Sequence, residues 1–166
     1  MGLIACYYVI EDNIIDKTIH LSFDYESYLE NNFSEEELNN LIFGQDTKSW
    51  NPLFELLKIL DTSNTKVLCQ IDKDDFYIKE SENMTSFYFH DSKRVNEIWS
   101  ELKNITSEKI TKSLENEKLK ERISNIEGYY NERIHWAESI MIEYNQIYNA
   151  FESAHKFKKG IIISIS

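Results

Sequence analysis

Residues Asn131 to Ile165 read NERIHWAESIMIEYNQIYNAFESAHKFKKGIIISI, and the fold class depends on how this stretch divides. Its first part sets apolar side chains at Ala137, Ile140, Met141, Tyr144, Ile147, Tyr148, Phe151 and Ala154. That is the i, i+3, i+4, i+7 recurrence of one buried helical face. Glu138, Glu143, Asn145, Gln146, Asn149 and Glu152 stand between them and are expected to face water. Asn131 suits an N-cap, Glu132 suits the positive end of the helix dipole, and Lys156, Lys158 and Lys159 suit the negative end. Gly160 is the expected left-handed residue that stops the helix. A helix from Asn131 to Lys159 is roughly 40 Å long at its rise of 1.5 Å per residue. The last part, Ile161-Ile162-Ile163-Ser164-Ile165, has no polar face, which implies a strand covered on both sides.

Leu3 to Ile10, LIACYYVI, is a second strand of the same kind. Strands apolar on both faces invite aggregation at a sheet edge. The expected architecture is therefore α+β, a single mixed sheet with the N- and C-terminal strands adjacent and central. Several helices pack on it, including the long C-terminal one. With 166 residues the chain suits one domain, residues 1–166, large enough to bury a core without a disulfide or metal staple.

The remaining elements are marked by caps and periodicity. Asp24 can cap a short helix through Tyr25, Tyr28 and Leu29. Ser34 with Glu37 forms a capping box for a helix of a turn or two, which Gly44 is expected to end. Asn51-Pro52 predicts a helix start with Asn as cap and Pro first inside, leading into the stripe Leu53, Leu56, Leu57, Leu60. Lys66 to Ile71, Phe76 to Lys79 and Ser86 to His90 read as strands, the first two joined by the polar turn Asp72 to Asp75. Asp91 caps a helix burying Val95, Ile98, Trp99 and Leu102. Thr106 or Ser107 starts another that turns Ile110, Leu114, Leu119 and Ile123 inward and runs until Gly128.

The formal net charge of −11 repels phosphate backbones and anionic membrane surfaces, so neither nucleic acid nor membrane is an expected partner. A basic protein is compatible with it. Cys6 and Cys69 sit in apolar runs, which fits thiols of a reducing cytoplasm better than a disulfide. Residues 1–10 lack the basic start of a signal peptide, and the expected location is cytoplasmic.

Three segments carry a likeness: Met1 to Tyr8, Lys48-Ser49-Trp50-Asn51-Pro52-Leu53-Phe54-Glu55-Leu56-Leu57, and Phe151 through Ile165. In that order they resemble the YfbM-like family of small bacterial proteins of unknown function. Asp91 to Leu102 fits as the capped helix after a short strand. The resemblance implies a cytosolic bacterial α+β domain and implies no reaction. Where the family often has Gly and His in the middle segment this chain has Pro52 and Phe54. Where it often has a Gly-Pro strand with an Arg, this chain reads Thr85-Ser86-Phe87-Tyr88.

No assembled catalytic set stands out. Glu132-x-x-His135 and Glu152-x-x-His155 share the spacing used in di-iron bundles. They lie about 30 Å apart on one expected helix. Asp72-Lys73-Asp74-Asp75 has Tyr77 and Asn83 where a calcium loop needs Gly and Glu. His20 and His90 have no metal-spaced companion and read as capping or surface residues. No metal and no cofactor is expected. Asp46, Lys48, Ser49 and Trp50 form the best binding candidate: a charge pair, a hydroxyl and an aromatic just before a helix N-terminus. The leading reading is a non-enzymatic binding or interaction domain, of immunity or regulatory type, that neutralises a basic protein. The alternative is a small enzyme or ligand-binding protein with its site near Lys48 to Trp50.

Overall fold

Every residue of the C-terminal strand is buried, and the architecture consists of what covers it. The computed structural model describes residues 4–20, 25–44, 49–60, 78–80, 86–124 and 136–165. In chain order these form β1 (Ala5–Ile10), α1 (Asp12–His20), α2 (Tyr25–Asn32), α3 (Glu35–Leu41), β2 (Ile42–Phe43), α4 (Trp50–Ile59), β3 (Ile78–Glu80) and β4 (Ser86–His90). They continue with α5 (Ser92–Leu102), α6 (Ser107–Leu114), α7 (Glu117–Ser124), α8 (Trp136–Phe157) and β5 (Gly160–Ile165). The sheet order is β2-β1-β5-β4-β3, so β5 is central with β1 beside it, as expected from their apolar sequences.

The sheet is antiparallel at every pairing among the described residues, where a mixed one was expected. A strand without a polar face signals only that both faces are covered, and helices can do that for an antiparallel sheet as well. The register puts Phe43, Tyr7, Ile163, Tyr88 and Ile78 in one cross-strand row. Tyr7, Val9, Ile161, Ile163, Ile165 and Tyr88 face a core that, among the described residues, is shared with α4, α5, α6 and α8. Ile10, Ile162, Phe87 and Phe89 face the other way, where the described residues Ile14, Ile15 and Leu29 pack against them. Helices α1 and α2 thus lie on the back of the sheet.

Helix α8 crosses the front with Ile140, Tyr144, Ile147, Ala150, Phe151 and Ala154 buried. Glu143, expected in water, is completely buried. The spacing 140, 143, 147, 150, 154 puts it in the middle of the sheet-facing arc, which is wider than the apolar stripe implied. The Tyr7 hydroxyl donates to Glu143 Oε1 at 2.6 Å, so a carboxyl group that burial would penalise keeps a hydrogen-bond partner. Tyr144 donates to the Ile105 carbonyl at the other side of the helix. Burial, with a lesser effect of Tyr148, pushes its phenol up to about 12, so it stays a donor throughout the ordinary pH range.

The end of α8 differs from expectation. Lys158, not Gly160, takes the left-handed conformation, with φ 55°. Lys158 N–H donates to the His155 carbonyl at 3.3 Å and Lys159 N–H to the Ala154 carbonyl at 2.8 Å, the paired bonds of a Schellman cap. Gly160 is the first residue of β5, and closeness is what demands glycine there. A Cβ would stand 2.6 Å from the His90 carbonyl and would strike the Ile15 side chain.

Other caps fall near their predicted places. Ser34 and Glu37 form the reciprocal box, and Asp91 and Thr106 cap α5 and α6. Helix α3 ends at Leu41 and passes straight into β2, so Gly44 closes the edge strand against the Ala5 carbonyl and does not end a helix. Helix α4 starts at Trp50 after Ser49, two residues earlier than Asn51-Pro52 suggested. Pro52 then takes the third helical position, whose N–H has no intrahelical acceptor to lose. The single helix expected after Thr106 is two, because Asn116 Oδ1 accepts from Lys118 N–H at 3.0 Å and starts α7. Asp24, Phe76, the strand at Lys66 to Ile71, the turn at Asp72 to Asp75, Asn131 and Glu132 lie outside the described residues.

This packing has two measurable consequences. Lys158→Gly should raise stability by about 1 kcal/mol, the usual cost of a left-handed side chain, while Gly160→Ala should lower it by about 1–3 kcal/mol through overpacking. Urea unfolding of both variants reads the two opposite shifts. Tyr7→Phe should cost about 0.5–1.5 kcal/mol, as expected for loss of one buried hydrogen bond, and Glu143→Gln should cost less because an amide oxygen still accepts. Equal midpoints for Tyr7→Phe and the parent chain would show that the Tyr7–Glu143 hydrogen bond has no part in docking α8.

Candidate functional site

Of the four expected binding residues, Ser49 and Trp50 are described, and Asp46 and Lys48 lie outside the described residues. Ser49 precedes α4 and is buried, and its hydroxyl does not cap the helix. Trp50 is half-buried against the front core. Its ring meets Phe54 edge-on, with centroids 5.7 Å apart. The pair at i and i+4 holds the first turn of α4 down.

The outer surface of α1, α2 and α3 is different in kind. Residues 11–41 carry nine carboxylates against one lysine, Lys17, a net −8, whereas the whole chain carries −11. Asp16, Glu30, Glu35, Glu36 and Glu37 are exposed there. Hydrogen bonds from the Ser34 backbone and hydroxyl hold the Glu37 carboxyl below its usual value, so it remains charged. Glu11 and Asp12 are drawn toward the rest of the fold. Glu11 pairs with Lys159 at 3.1 Å, and Asp12 accepts from Ser92 N–H at 2.8 Å and Ser92 Oγ at 2.6 Å. Helices α6 and α7 contrast with this layer, since Glu108–Lys112 and Glu117–Lys120 pair along their surfaces. With one lysine in 31 residues, pairing within the acidic layer cannot neutralise it. The signal was present in the sequence as a local charge count, which the net charge of the chain conceals.

A second feature is an open cleft of about 380 Å³ where α6, α7 and the start of α8 meet. Leu114, Ala137 and Met141 form its floor, with Thr111, Glu115, Lys120 and Glu138 around them. Trp50 does not line it. His155 lies elsewhere, stacked on Trp99 at 5.9 Å with Nδ1 2.6 Å from Asn96 Oδ1, a contact that joins α8 to α5. Glu152 is exposed, and Glu132 and His135 are outside the described residues. Among the described residues, no three of His, Cys, Asp and Glu come together as a metal-binding group. Among them also, no helix is long and apolar enough to cross a membrane.

His90, expected at the surface, is 1% exposed. It ends β4 in register with Ile161, and its ring lies 6.0 Å from that of Phe151. Burial, helped by the Arg94 charge, pushes its pKa down to about 3 from 6.5. A base with a folded-state value below its unfolded one contributes its stability fully above about pH 6.5, and loses it as pH falls toward 3. The slope reaches at most about 1.4 kcal/mol per pH unit. Urea midpoints should therefore begin to fall near pH 6, before the carboxylates titrate. His90→Leu should remove most of that early decline, and a parent chain of constant midpoint between pH 6.5 and 5 would contradict it.

Comparison with known proteins is narrow. No curated protein and no solved structure matches the chain. One family does match, over residues 1–164, and nearly the whole sequence is included. The chain belongs to that family, described as a domain of unknown function, DUF1877.

Proposed function

We propose that the chain is a non-enzymatic interaction domain that engages a basic protein through the outer surface of α1, α2 and α3. The observation that carries this reading is the charge distribution: a net −8 of the chain's −11 lies in residues 11–41. Such a surface raises the local concentration of a cationic partner and speeds its encounter, and salt screens the effect. It opposes the phosphates of nucleic acid and anionic lipid for the same reason. The short helices that carry it expose Asp16, Glu30 and Glu36 on successive elements, a spread suited to a protein surface more than to a small ligand. An immunity-type or regulatory protein of the bacterial cytoplasm, akin to the YfbM-like proteins, fits this behaviour.

The runner-up is a small enzyme or ligand-binding protein with its site at Asp46, Lys48, Ser49 and Trp50. Burial of Ser49 and the contact between Trp50 and Phe54 support a packing role for that turn.

Capture from an extract of the native host separates the two. The tagged chain should retain a protein of basic isoelectric point at low salt and release it at high salt. A variant carrying Asp16→Asn, Glu30→Gln and Glu36→Gln should not retain it. Retention by that variant equal to the parent's, or a partner of acidic isoelectric point, would overturn the proposal.

A further inference from the structure

We draw no further inference here: the strongest candidate, the open cleft of about 380 Å³ where α6, α7 and the start of α8 meet over Leu114, Ala137 and Met141, carries none because nothing in the structure shows what covers it.

Discussion

Four isoleucines in Ile161 to Ile165, buried alternately against opposite faces, require two covers. That requirement organises the chain. A strand of this kind must be central, flanked on both edges by β1 and β4, because its own faces leave no polar side for water. It must also be met from both sides by helices. Helix α8 reaches the front immediately, because the Schellman cap at Lys158 reverses the chain within two residues of the helix end. Helix α1 reaches the back just as closely, which is why no side chain fits at Gly160.

The two covers are held by different physics. The front is deep and apolar, with Glu143 and Tyr7 as an exception near its middle. A carboxylate there, receiving a 2.6 Å hydrogen bond from a phenol of β1, fits only one rotation and one height of α8 over the sheet. Neighbouring Leu or Ile contacts tolerate small slips, but a buried carboxyl group that loses a hydrogen-bond partner does not. His90 belongs to the same face and is held neutral by burial, so the front core makes no allowance for a positive charge at its edge.

On the back, the described residues Ile14, Ile15 and Leu29 contribute by burial, while the exposed carboxylates Asp16, Glu30, Glu35, Glu36 and Glu37 oppose one another. Among the described residues this contrasts with α6 and α7, where Glu108–Lys112 and Glu117–Lys120 pair. The reading as an acidic interaction surface rests on that asymmetry, and the DUF1877 family match is compatible with it without supplying a function.

Much of this was legible in the residues. The apolar runs at Leu3 to Ile10 and Ile161 to Ile165 pointed to adjacent central strands. Ser34, Asp91 and Thr106 marked helix starts, because capping is a local hydrogen bond that the residue type largely decides. What sequence alone could not decide was set by distant neighbours. Glu143 reads as a solvated residue until Tyr7, 136 positions away, is brought beneath it. His90 reads as a surface residue until Phe151 covers its ring. Gly160 reads as a helix stop until His90 and Ile15 close around it, leaving Lys158 to take the left-handed turn. Of the expected binding turn, Ser49 is buried and Trp50 is half-buried against the front core, which the sequence alone did not show. Local chemistry determined many of the elements and the capped starts of α3, α5 and α6. Burial, which depends on which surfaces meet, decided the role of each polar side chain.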